Sequence, residues 1–308
     1  MSRSDSLRRL RVEDVLCLFV ALTLLSYIGL AGSWRLLRAN TEDMWTVSFI
    51  GLPMSIIIFL ASLRYALGSD GSTVGRWAAE VTEIARDWLP FLLFLLFYTT
   101  FHSALWITIH PRIEDAELLA IDRRLFGETP SVPMQQWTTP GVTSFMSLCY
   151  FLHLILPPLL AGLWYRRDIK VFRELLLAIL ICGAIGAIGY LLVPAVGPGV
   201  AFPQLYAKTL SGTLYRPIID WMDVARAPRD VFPSLHIAVS AIVMWYAARY
   251  GRTLLAIVTP FIVGNWIATI YLRYHYAIDD VAGFVVAVIS IVLAGAALSF
   301  EQRVTREA

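Results

Sequence analysis

Charge is scarce in this chain. Acidic and basic residues fill 16% of its 308 positions, and 58% of the residues are apolar. A typical soluble domain has about 25% charged residues and about 45–50% apolar ones, so the balance argues against a soluble protein. Disorder is excluded too, because a disordered chain is polar and poor in aromatics, whereas this one carries 10 Trp, 13 Tyr and 16 Phe. Cysteine is rare: Cys17, Cys149 and Cys182 all sit inside apolar runs, which leaves neither a disulfide framework nor metal-ligand spacing. Lysine occurs twice, at Lys170 and Lys208, and the net charge of +2 gives no basic footprint for nucleic acid. His-Glu-x-x-His is absent, so no metal is expected, and no cofactor. Internal repeats, low-complexity tracts and a second globular domain are also missing.

What the chain has is apolar length. Eight stretches can cross a bilayer: 15–34, 45–63, 88–110, 142–165, 175–193, 234–250, 253–272 and 280–300. Alternation of period two is weak, and backbone groups in lipid must be satisfied within their own segment, so helices are expected. The fold class is therefore all-α and polytopic, with about eight transmembrane helices. The first stretch follows Arg8, Arg9 and Arg11 but is too long for a secretory signal core, and is read as a retained anchor. Cytoplasmic loops carry the excess of Lys and Arg. The short basic connectors Arg166-Arg167-Asp168-Ile169-Lys170 and Arg249-Tyr250-Gly251-Arg252 then place both termini inside.

Two long connections fall outside. Residues 111–141 suggest a short helix on the membrane surface. Residues 194–233 open with Pro194-Ala195-Val196-Gly197-Pro198-Gly199 and are long enough to suggest function.

Of five histidines, His236 and His275 share that outer face. His236 starts the sixth span in Phe232-Pro233-Ser234-Leu235-His236; His275 lies between spans seven and eight, four residues before Asp279. On a helix that spacing shares a face. A carboxylate accepting one imidazole proton fixes the tautomer and frees the other nitrogen to attack. Ser234 is a natural N-cap, and a helix start favours phosphate. Arg273, Arg229, Arg226 and Arg216 can supply guanidinium groups to its oxygens. Together these describe phosphoryl transfer through a phosphohistidine. His102, His110 and His153 have no acidic residue at i+4 and are read as interior polar contacts, while Gly183, Gly186 and Gly189 let helices approach closely.

The segments Phe232-Pro-Ser-Leu-His236 and Arg273-Tyr-His275-Tyr-Ala-Ile-Asp279 resemble the second and third signatures of the type 2 phosphatidic acid phosphatase superfamily. Together with Asp122-Arg-Arg-Leu-Phe-Gly-Glu-Thr-Pro130, they look most like the branch of inositol phosphorylceramide synthases and their bacterial relatives. The resemblance implies a six-helix catalytic core over residues 86–300, preceded by a two-helix extension over 1–85 and followed by a cytoplasmic tail over 301–308. It makes His275 the nucleophile, Asp279 its orienting partner and His236 the general acid and then base. Arg273 becomes the first stabiliser of phosphoryl charge, with Arg229 and Ser234 behind it.

Two departures stand out. The first signature, a Lys, six residues, then Arg-Pro, is matched only by Lys208, seven residues and Arg216-Pro217; Gly197-Pro198-Gly199 can supply amides instead, or form a rigid turn. Where the phosphatase form has an Arg six residues before the second histidine, this chain has Thr269. The expected activity is a metal-independent lipid phosphotransferase in a bacterial inner or plasma membrane. It would move a phosphoryl or phospho-head group between a phospholipid and a lipid or alcohol acceptor. Hydrolysis of a lipid phosphate or polyprenyl diphosphate is the alternative. A transporter or scaffold with a proton relay is more distant, since charges gather at span ends and the halves do not match.

Overall fold

A computed structural model of the chain describes residues 11–16, 18–19, 80–92, 112–225 and 229–307. Most of the first and third expected spans and all of the second lie outside these residues, as do His102, His110 and Arg226. The chain divides into two compact units, Phe101–Ala296 and Met1–Thr100 with Ala297–Ala308. In the latter, Arg11 pairs with Asp87 and Arg86 with Asp14, and Trp88 packs edge-on against Phe91.

Phe101–Ala296 is built of helices: α1 (Asp115–Phe126), α2 (Pro140–Arg167), α3 (Ile169–Leu192), α4 (Tyr215–Ala225), α5 (Leu235–Tyr250) and α6 (Arg252–Tyr271); α7 (Ala277–Glu307) begins here. No strand occurs among the described residues, only an isolated bridge between Ala195 and Asp230. The protein is an all-α membrane protein. Four of its described helices, α2, α3, α6 and α7 over Ala277–Val304, are long and apolar enough to cross a bilayer, at the expected fourth, fifth, seventh and eighth spans. The sixth expected span is a helix of 16 residues, about 24 Å long at 1.5 Å per residue, short of the roughly 30 Å hydrocarbon core. Its start is fixed by Pro233 and the Ser234 cap, which puts His236 in its first turn.

Short connectors force reversal. Asp168 alone joins α2 to α3, capping α3 through its carboxylate to the Lys170 and Val171 N–H groups, and Gly251 alone joins α5 to α6. These two turns lie at one end, where the Arg167 guanidinium bonds the Tyr250 carbonyl at 2.5 Å and Trp164 Nε1 donates to Tyr246 O at 3.2 Å. At the other end the starts of α2, α5 and α7 meet the finishes of α3 and α6. There the glycine stripe of α3 works as expected: a Cβ on Gly186 would lie 2.6 Å from Leu235, and one on Gly189 would collide with Pro233. Larger residues would push the start of α5 away. The core is tight throughout, with Phe172, Leu175, Leu177, Ile179, Ile237, Ile242 and Tyr246 fully buried.

The expected surface helix exists as α1, but its inner stripe is partly acidic. Asp115 and Asp122 are buried with Leu118 and Leu119, while Ile121, Leu125 and Phe126 are exposed. An apolar face alone does not account for how this helix docks.

Candidate active site

The two histidines come together. His275 Nε2 lies 3.4 Å from His236 Nδ1, with ring centroids 5.4 Å apart, and both side chains are buried. His275 Nδ1 lies 3.0 Å from the carbonyl of Val231, which can only accept, so Nδ1 carries the hydrogen. In the neutral ring Nε2 is then the basic atom, and His236 Nδ1 is the donor that faces it. Asp279 Oδ2 stands 3.5 Å from His275 Nδ1 and accepts the Tyr276 N–H at 2.8 Å. The closest anchor of His275 is thus a main-chain carbonyl, with the carboxylate just behind it.

Backbone bonds fix the turn that carries His275. The Thr269 carbonyl accepts the N–H groups of both Tyr274 and His275, each at 3.1 Å, and the Asp279 carbonyl accepts the Ser234 N–H at 3.1 Å. That last bond ties the start of α5 to the start of α7, and with it His236 to His275. Ser234 caps α5 as expected, its Oγ accepting from Ile237 N at 3.4 Å. Below His236, its carbonyl accepts from Asn265 Nδ2 at 3.1 Å and from Ser240 Oγ, and Ser240 Oγ accepts from Trp266 Nε1 at 2.7 Å. Thr269 is buried and its hydroxyl contacts Asp280 Oδ2 at 2.8 Å.

Several residues that support the site were given no role in it by the sequence. Asp122 accepts from Ala277 N and Ile278 N, both at 3.0 Å, and from the Thr129 hydroxyl at 2.7 Å. Asp115 accepts from Val196 N and Gly197 N, each at 2.9 Å, and from the Tyr276 hydroxyl at 2.9 Å. Burial and the adjacent Asp115 carboxylate push the Tyr276 phenol well above its ordinary range, so it stays protonated and donates. Around His236, the Tyr150 ring stacks at 4.2 Å and the His153 ring packs at 4.0 Å between centroids. The interior contact expected for His153 is therefore a contact with a candidate site residue. Tyr150 and His153 sit three apart on α2, a spacing that signals one helical face but not what it meets.

The expected phosphate-binding residues divide. Arg273, with φ of +68°, is half-buried; its guanidinium lies 4.2 Å over the Tyr206 ring and donates to the Lys208 carbonyl at 2.5 Å. Burial pushes this group down, opposed by Tyr206, Tyr215 and Tyr271. Lys208 itself is exposed, its N–H given to Gln135 at 3.1 Å. Arg216 is also exposed, in an i,i+4 pair with Asp220 at 3.4 Å. Arg229 is partly buried beside the Ala195–Asp230 bridge. The Gly197 N–H is given to Asp115 and that of Gly199 to the Arg273 carbonyl at 2.9 Å, so these amides brace the loop. Among the described residues, no three His, Cys, Asp or Glu side chains gather as a metal-ligand set.

Two buried imidazoles face each other at one end of an apolar helical bundle, and the comparison of the chain with known families supplies the class of chemistry: that of a phosphatase-type membrane enzyme. Residues 116–293, more than half of the chain, match the PAP2 superfamily, and the chain belongs to it. No curated protein and no solved structure matches the chain.

Proposed function

We propose that this protein is a lipid phosphotransferase of the inositol phosphorylceramide synthase-like branch, working through a phosphohistidine on His275. The observation that carries the reading is the 3.4 Å contact between His275 Nε2 and His236 Nδ1, with His275 Nδ1 held by Val231 O. In the first half-reaction the phosphorus takes the place of that contact. His275 Nε2 forms the P–N bond as the bond from phosphorus to the leaving oxygen breaks, and His236 gives that oxygen its proton. In the second, an acceptor hydroxyl gives its proton to His236 while its oxygen displaces Nε2 from phosphorus. Asp279, close behind Nδ1, stabilises the charge that His275 gains. Arg273 and Ser234 are the first donors to the phosphoryl oxygens in this reading, ahead of Arg229, Lys208 and Arg216.

Transfer is favoured over hydrolysis by burial. His275 is 2% and His236 7% exposed, a setting in which water is scarce and a bound acceptor has the advantage. The basic connectors Arg166 to Lys170 and Arg249 to Arg252 stand at the far end of the bundle. By the positive-inside tendency this supports cytoplasmic termini and an extracytoplasmic site. The test is incubation of the purified protein with labelled phosphatidylinositol, with and without ceramide or diacylglycerol, products resolved by mass. A new lipid bearing the labelled head group is expected. Release of the head-group phosphate to water alone assigns a phosphatase, and no conversion of any phosphorylated lipid contradicts both.

A further inference from the structure

We propose that Tyr150 and His153, one turn apart on α2, are positioning residues that hold His236 in the orientation and charge state of a general acid. The inference deepens the proposed reaction and rests on it.

Three rings form a nearly parallel run: Tyr274 on Tyr150 at 5.0 Å and 18°, and Tyr150 on His236 at 4.2 Å and 17°. Tyr274 immediately precedes His275, so the run links the nucleophile's turn to the acid through one α2 side chain. His153 closes another side, tilted 51° against His236 at 4.0 Å. Its own ring is set by Nδ1, 2.6 Å from the Tyr150 carbonyl, which can only accept. With Tyr150 and His153 both against it, the His236 ring has little freedom to turn its Nδ1 away from His275.

The stack also addresses charge. His236 lies in the first turn of α5, where the helix dipole disfavours a cation. An acid must nonetheless carry its proton when the leaving oxygen departs. The π face of Tyr150 attracts an imidazolium, as aromatic faces attract cations generally, and so offsets the helix start. His153 adds a second geometric restraint, its ring packed on another side of His236.

The test compares two esters of the same phosphate donor, one with a p-nitrophenyl and one with an alkyl leaving group. Only the alkyl oxygen needs a proton as it leaves. Tyr150→Leu and His153→Leu are expected to lower kcat on the alkyl ester by about 100-fold, within the range for a general acid. On the p-nitrophenyl ester, loss of about threefold or less is expected, and KM should change little on either. Tyr150→Phe, which keeps the ring, should restore the alkyl rate. The ratio of the two rates is independent of how much of each variant is folded. Equal losses on both esters, or no loss on either, overturn the proposal. His236→Ala is the control. If its own loss is equal on both esters, the acid role itself fails and takes the proposal with it; if its loss is selective and those of the α2 variants are not, only the proposal fails.

Discussion

The Asp122 carboxylate and the backbone of Ile278 meet at 3.0 Å across 156 residues of chain. An acidic side chain from α1 therefore caps the helix that carries Asp279, also taking the Ala277 N–H. The first N–H groups of a helix have no intrahelical acceptor, and the dipole of its N-terminus favours a negative charge there. That cap holds the first turn of α7, which carries Asp279.

Replacing Asp122 by Ala leaves two backbone N–H groups and the Thr129 hydroxyl without their acceptor. A loss of about 1–3 kcal/mol is expected, read as a lower unfolding temperature in detergent, together with a fall in kcat. Asp122→Asn keeps one carbonyl oxygen and should lie between. An Ala variant with unchanged stability and turnover would remove α1 from the account.

Gly197→Ala should be worse than its size suggests. The residue has φ of +89°, where a Cβ is strained, and that Cβ would run into the Tyr274 carbonyl oxygen. Displacing Tyr274 moves the residue next to His275. Turnover should fall at least tenfold, an amount equivalent to about 1.4 kcal/mol of transition-state energy, with Gly199→Ala as the companion variant at the Arg273 carbonyl. Steady-state kinetics check it, and wild-type rates in Gly197→Ala would contradict the packing.

Arg273 gives one Nη2 hydrogen to the Lys208 carbonyl, and the rest of its five-donor guanidinium can serve phosphate. Arg273→Lys retains charge but loses the planar fork. Its kcat should drop about tenfold or more, the order expected for one charge-assisted donor. Tyr206→Leu should alter KM more than kcat, since Tyr206 lies against the Arg273 guanidinium and donates nothing to the phosphoryl group in this reading. A Lys variant with native kcat would assign Arg273 to loop bracing alone.

Chelation should not matter. The proposed steps use imidazole, carboxylate and guanidinium groups, so turnover after excess chelator and dialysis is expected to stay within the error of the assay. Loss restored by one divalent cation would require a different mechanism.

What was legible in the sequence was local. Ser234 follows Pro233 and precedes an apolar run, and it caps α5. His236 and His275 stand out because polar groups at apolar span ends are conspicuous, and hydropathy marks α2, α3, α6 and α7. The supporting residues were hidden because their partners are distant. Asp115 meets Tyr276 across 161 positions, and His153 meets His236 from another helix. An i+4 rule applied to His153 finds nothing, since what it touches lies beyond its own helix. In residues 111–141 the pattern suggested a short helix on the membrane surface, whereas the buried Asp115 and Asp122 carboxylates hold α1 through backbone N–H groups that no side-chain periodicity records. Gly197 was ambiguous between an anion ligand and a turn, and only the position of Asp115 distinguishes where its N–H goes.

The covalent intermediate is the most direct test of the whole account. Donor labelled at phosphorus is mixed with the protein, quenched within one turnover in base, and the labelled peptide is located by mass. A base-stable, acid-labile phosphoryl or phospho-head group on His275 is expected, absent from His275→Ala and accumulating in His236→Ala when the leaving group is activated. Label on any other residue, or label surviving in His275→Ala, contradicts it.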